Sequence, residues 1–135
     1  MTLTDIALPV RQHLDAFDAM FNQTVRSNIG LVDLVAKYII RRKGKRVRPV
    51  LVLLSAGLCG GVNERSYRGA ALVEILHTAT LVHDDVIDGA DTRRGVASIN
   101  AVWKNKIAIL MGDYLLARGL LLSLENDDFA FLKVT

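Results

Sequence analysis

What most restricts the fold of this chain is an apolar pattern of helical period that runs nearly from end to end. Only two prolines, Pro9 and Pro49, interrupt it. β-Branched residues rarely alternate with polar ones, so the pattern predicts an all-α chain. A first amphipathic helix is expected from about Asp5 to Ser27, with Leu14, Phe17, Phe21 and Val25 on one stripe. A second covers Ile29 to Ile40, and the basic loop Arg41-Arg42-Lys43-Gly44-Lys45-Arg46 follows. Pro49 suits the first turn of a third helix, where its missing N–H is not needed. That helix is apolar on nearly every side from Val50 to Leu58, which predicts burial there and a core position for Cys59. Gly60-Gly61 ends it, and Asn63 is the N-cap of a long helix from Glu64 to about Asp88. A loop from Gly89 to Gly95 precedes helices at Ala97 to Lys104 and Asn105 to Leu124. Phe129 to Val134 reads as the start of one more. No repeat or linker divides residues 1–135, so a single helical domain is expected, and its last pattern reads as that of a fragment of something longer.

Composition then narrows the class. With 51% hydrophobic and 23% charged residues the chain is too apolar to stay disordered. One cysteine, Cys59, excludes a disulfide framework and suggests a reducing, cytoplasmic setting. The longest apolar run, Val50 to Val62, is short and broken by Ser55 and three glycines, so no membrane span is expected. No signal peptide is legible at the N-terminus. The net charge of +3 suits anionic substrates or nucleic acid without choosing between them.

The chemistry concentrates in His83-Asp84-Asp85-Val86-Ile87-Asp88. Asp84 and Asp88 lie four apart, one turn from each other on a helix face, with Asp85 flanking them. Like charges at that spacing repel, and acids at a helix C-terminus oppose its dipole. A solvated acidic helix end is the bland alternative; the accumulated penalties favour a bound cation. Hard carboxylate ligands suit Mg²⁺, which keeps waters and is shared with substrate phosphates. Arg93-Arg94-Gly95 follows at once, and guanidinium forks bind phosphate oxygens in pairs. Lys43, Lys45, Arg46 and Arg48 open the Pro49 helix, whose N-terminus is a second candidate anion site. His77 stands two turns before Asp84 and points to the same side.

These motifs in this order resemble the first half of a trans-prenyltransferase of the polyprenyl diphosphate synthase family. The residues that carry the likeness are Gly44-Lys45-Arg46-Val47-Arg48-Pro49, His77, Asp84-Asp85-x-x-Asp88 and Arg93-Arg94-Gly95. Gly112-Asp113-Tyr114-Leu115-Leu116-Ala117 resembles the family's next conserved helix. The likeness covers about residues 30 to 125. It implies an isoprenoid-synthase-type helical bundle, truncated to its N-terminal helices, with Mg²⁺ as cofactor and a homodimeric assembly. It implies Lys45, Arg48, His77 and Arg94 for isopentenyl diphosphate and Arg93 for the allylic diphosphate. Asp84 and Asp88 would hold the metal, with Asp85 supporting them. The small residues Ala79 and Thr80, five and four before Asp84, imply a long, octaprenyl-type product. Nothing matches the family's second Asp-rich motif, since Asp127-Asp128 lacks a third acid and comes too soon. The chain is therefore expected to be inactive alone.

Three rivals make different demands. His83-Asp84 is also the dipeptide of HD-type metal phosphohydrolases, but these need a further His and Asp around a transition metal, and His77 is turned well off the His83 direction. A non-catalytic helical partner subunit of a larger synthase would not need the full acidic and basic set. A nucleic-acid module is disfavoured, because the cations cluster beside carboxylates and aromatic residues for base stacking are scarce.

Overall fold

Pro9 divides the first helical pattern into three pieces. In the computed structural model, which describes residues 1–42 and 44–135, α1 (Leu3–Ala7) gives way to a 3₁₀ turn at Leu8–Val10 and then to α2 (Arg11–Val25). The single helix expected from Asp5 to Ser27 is thus corrected, since a proline ring cannot sit in an α-helix interior. Lys43 of the basic loop lies outside the described residues. Next come α3 (Gly30–Arg41) and α4 (Val47–Leu58), whose N-cap, Arg46, adopts a left-handed backbone with φ 58°. The long α5 (Glu64–Asp88) starts at Asn63, whose side chain and that of Ser66 cap each other's backbone N–H groups. It stops at Gly89, φ 64°, where the Ala90 N–H reaches back 2.9 Å to the Asp85 carbonyl.

The expected loop at Gly89 to Gly95 holds a small antiparallel hairpin, with β1 (Thr92–Arg93) against β2 (Val96–Ala97). Its two-residue turn is Arg94-Gly95, both with positive φ (54° and 77°), the geometry that matches strand twist. α6 (Ile99–Val102), α7 (Asn105–Glu125) and α8 (Phe129–Val134) complete the chain.

The core is built on α5 lying along α7. Ala71, Leu72, Ile75 and Ala79 of α5 and Ala108, Met111 and Leu115 of α7 are buried, with Phe17 and Val25 from α2 and Val35, Ala36 and Ile39 from α3. Gly112 and Gly119 leave room for the approach: a Cβ at 119 would sit 3.3 Å from Leu72 Cδ1, and one at 112 only 2.1 Å from His83 Nε2. α7 also closes the end of α2. Tyr114 Oη donates to the Val25 and Arg26 carbonyls at 3.0 and 3.1 Å, and Arg118 Nε donates to the Thr24 carbonyl at 2.8 Å. Carbonyls that a helix end leaves unpaired are satisfied in this way.

Two burial expectations need correcting. α4 buries one side only, through Pro49, Val50 and Leu53, while Leu51 and Leu58 are exposed. Cys59 caps its C-terminus and is exposed, not core. Run length also understated α7. It is long and apolar enough, by length and composition, to cross a membrane; Asp113 and Arg118 had hidden this by dividing the apolar run. Here it is the packing partner of α5. Asp127-Asp128 is no metal motif in this arrangement. Asp128 is buried, accepts from Arg68 Nε at 2.6 Å and forms an ion pair with Arg65 at 3.3 Å, fixing the start of α8 to α5.

Candidate active site

The α5 helix carries the site. At about 100° per residue, Glu74, His77, Thr78, Leu81 and Asp85 share one stripe, with Asp84 and Asp88 on its margin. That stripe is one wall of an open cleft of about 360 Å³. The end of α3 and the basic loop face it with Arg41, Arg42, Gly44, Lys45 and Arg46; α4 adds Arg48. The hairpin brings Arg93 and Arg94 from another side, and α2 adds Phe17, Asp18 and Phe21. The fold therefore gathers Lys45, Arg48, His77, Arg93 and Arg94 around one space.

Local geometry explains how. The hairpin turn puts Arg94 at its tip, and the guanidinium crosses to the basic loop. A Cβ on Gly44 would lie 2.3 Å from Arg94 Nη1, so glycine is what lets the two segments touch. Arg93 is held from the other side. Its Nε and Nη2 donate to Asp85 Oδ1 at 3.0 and 2.7 Å, and Asp85 is 3% exposed. Asp85 is thus engaged with Arg93 instead of joining Asp84 and Asp88. Arg46 turns to Asp18, 2.7 Å away, leaving its neighbours Lys45 and Arg48 outside that pair.

The electrostatics follow from this crowding. Burial, then the Arg48, Arg94 and Arg93 charges, push His77 below the ordinary imidazole value. Its neutral ring is therefore favoured in the empty cleft. Burial pushes the Glu74 carboxyl above its ordinary value, against the pull of Arg48, Arg94 and Arg46.

Asp84 and Asp88 are exposed, and neither forms an ion pair with a described residue. Among the described residues no three His, Cys, Asp or Glu side chains converge as a ligand set. Two free carboxylates one turn apart, within electrostatic reach of Arg93, do fit Mg²⁺, which is bound by one or two carboxylates together with substrate phosphates. They do not fit an HD-type site. His83 turns away to α7, where its Nε2 lies 3.1 Å from the Ile109 carbonyl and 3.3 Å from Asp113 Oδ1, and His13 bonds Tyr67. Thr80 is exposed on the Asp84 side of α5, whereas Ala79 is wholly buried.

Sequence reasoning missed Glu74, Asp18, Arg41 and Arg42 as parts of the cleft. Glu74 was legible, because a residue three before His77 shares its face. Nothing local marks Asp18, which arrives from α2.

Comparison with known proteins agrees with the helical fold. A family model described as polyprenyl synthetase matches residues 30–134. An all-trans-nonaprenyl-diphosphate synthase (geranyl-diphosphate specific) of Rhodobacter capsulatus is 44% identical over 96% of this chain, which covers 40% of that protein. The crystal structure of a decaprenyl diphosphate synthase from Rhodobacter capsulatus superposes with TM-score 0.91 at 34% identity, covering 98% of this chain and 41% of that one. A polyprenyl synthase from Caulobacter crescentus CB15, complexed with calcium and isoprenyl diphosphate, gives TM-score 0.87 at 31% identity, covering 93% and 38%. The chain spans about two fifths of the length of these proteins.

Proposed function

Because the chain belongs to the polyprenyl synthetase family, we propose that it supplies the diphosphate-binding wall of a Mg²⁺-dependent prenyltransferase that lengthens a trans-polyprenyl diphosphate. The carrying observation is the convergence of Lys45, Arg48, His77, Arg93 and Arg94 on one cleft, with the exposed Asp84 and Asp88 of α5 within electrostatic reach of Arg93. In this reading Lys45, Arg48, His77 and Arg94 hold the diphosphate of isopentenyl diphosphate. Asp84 and Asp88 hold Mg²⁺ against the allylic diphosphate, with Arg93 kept in place by Asp85. Bound Mg²⁺ would neutralise charge on the departing diphosphate. The Arg93 guanidinium, held by Asp85, does the same from a fixed position, which favours cleavage of the allylic C–O bond with both electrons leaving on oxygen. The double bond of isopentenyl diphosphate then forms the new C–C bond, and a proton is lost.

The calcium and isoprenyl diphosphate of the Caulobacter relative support a divalent cation and this ligand class. Condensation itself needs further ligands opposite Asp84 and Asp88, so this chain alone is expected to bind and not to turn over. A homodimer suits the apolar side chains left exposed on α7, among them Leu110 and Leu120. The exposed, unpaired Cys59 suits a cytoplasmic setting.

Equilibrium dialysis tests the reading. Labelled isopentenyl diphosphate should bind without metal and be released by Lys45→Ala/Arg48→Ala. Farnesyl diphosphate should be retained with Mg²⁺ and lost in Asp84→Ala/Asp88→Ala. Absence of any diphosphate binding overturns the assignment. Binding of farnesyl diphosphate that ignores both Mg²⁺ and the aspartates overturns the metal site.

A further inference from the structure

Glu74 is an ionisable group of the cleft that the proposed reaction does not use. It stands on the α5 stripe one turn before His77. One of its carboxylate oxygens is fully buried with no hydrogen-bond partner, and Glu74 forms no ion pair with a described residue. A half-buried carboxylate with one oxygen shut off from donors is costly to charge. The positive field around it offsets part of that cost.

The charged groups facing it come from every wall. Asp18 of α2 and Asp85 of α5 already have arginine partners, Arg46 and Arg93 respectively. Arg41, Arg42 and Lys45 stand across the cleft on the α3 side, and His77 is beside Glu74 on its own helix. The cations with the strongest hold on Glu74 are Arg48 and Arg94, then Arg46. Arg46 is taken by Asp18. Arg48 and Arg94 are thus the charges that balance Glu74, and they are also the groups assigned to an incoming diphosphate.

We propose that Glu74 is a proton-coupled counter-charge of this cleft, ionised against Arg48 and Arg94 when the cleft is empty and protonated when a diphosphate takes over those two cations. The inference rests on the diphosphate reading above. A diphosphate acts on Glu74 in three ways, all in one direction. It draws the guanidiniums into its own bidentate contacts, adds negative charge nearby, and excludes water. Each favours the neutral acid. By linkage, binding then takes up a proton at Glu74, and affinity falls as pH rises between the carboxyl's values in the empty and filled cleft, by up to about tenfold per pH unit. Burial already raises Glu74 above its ordinary value, against the pull of Arg48, Arg94 and Arg46, so the window opens above that value.

His77 would also gain a proton beside an anion, so the test must separate the two. The 135-residue chain is titrated with isopentenyl diphosphate, without metal, by calorimetry in two buffers of different ionisation enthalpy. Protons taken up per ligand are counted for the parent, Glu74→Gln and His77→Gln. Proton exchange by the ligand itself is common to all three. The expected result is a count in Glu74→Gln that falls by as much as one proton below the parent, with a flatter pH dependence and tighter binding on the alkaline side. His77→Gln should keep the Glu74 share. An unchanged count in Glu74→Gln overturns the inference and leaves the cleft assignment standing. So does binding that is weaker by the same factor at every pH, the mark of a merely structural role. A parent chain that binds no diphosphate at any pH overturns both.

Discussion

Alanine at position 112 probes how α5 and α7 are held beside the acidic motif. In an open helix, glycine to alanine stabilises by about 0.5–1 kcal/mol, because glycine loses more backbone freedom on folding. Here the new Cβ would lie 2.1 Å from His83 Nε2 and 2.3 Å from its Cδ2. The ring is no loose chain end, since Nε2 is held 3.1 Å from the Ile109 carbonyl. Moving it forfeits that hydrogen bond, worth about 1 kcal/mol. Displacing packed neighbours costs about 1–3 kcal/mol more. Less the helix gain, the net loss is about 1–3 kcal/mol, or about 4–12 °C in melting temperature for a chain of this size. Thermal melts followed by circular dichroism read it. The decisive control is His83→Ala: with the ring gone, Gly112→Ala should be neutral or stabilising, a coupling of about 2–4 kcal/mol. Equal losses in both backgrounds would refute the argument, as would a melting temperature within about 1 °C of the parent.

Gly44→Ala offers the complementary outcome. The atoms nearest its Cβ all belong to the Arg94 guanidinium, the far end of a long side chain, so stability should hold within about 0.5 kcal/mol while isopentenyl diphosphate binding weakens severalfold; unchanged binding would show that Arg94 does not need that position. Asp85→Asn removes the charge that anchors Arg93 and should cost about 1–3 kcal/mol, seen as a lower urea midpoint at constant slope. Asp84→Asn/Asp88→Asn should gain about 0.5–1 kcal/mol without metal, because two like charges at a helix C-terminus are removed. A loss there would sink the view that these acids are retained for a cation at the expense of the helix.

The helical elements were legible because their signals are local: Asn63 caps α5, Pro49 sits in the first turn of α4, and Gly89 ends α5. Errors arose where a signal had two readings. The Pro9 break was smoothed over by continuous apolar spacing on both sides. All-round apolarity in α4 predicted burial that its neighbours do not supply. Thr92-Arg93 reads as loop because a two-residue strand is too short to show a period. The site was legible as a set of residue types, yet its partition was not. Asp84, Asp85 and Asp88 stand together in sequence, but the helix turns Asp85 toward Arg93 and leaves the other two outside. The Asp18–Arg46 pair joins segments with no shared motif, and only tertiary structure brings them together.

That same rotation separates Ala79 from Thr80. Thr80 lies four residues before Asp84, about 40° round the helix; Ala79, five before, lies about 140° away. Ala79 is fully buried in the cluster that holds Ile75 and Leu115, so its small side chain is explained by the packing of the helices alone. Thr80 is exposed and spends its hydroxyl on the His77 carbonyl at 2.7 Å, a local bond that puts no demand on its size. Phenylalanine should therefore behave differently at the two positions. Ala79→Phe overpacks the core and should cost about 1–3 kcal/mol or more. Thr80→Phe should leave the melting temperature within about 2 °C of the parent, and in an elongation assay of a complete enzyme carrying it the product should be shorter. If both residues lined a growing chain, both variants would fold equally well and shorten the product equally. Matching melting temperatures for the two would refute the division of α5 into a packed face and an open one.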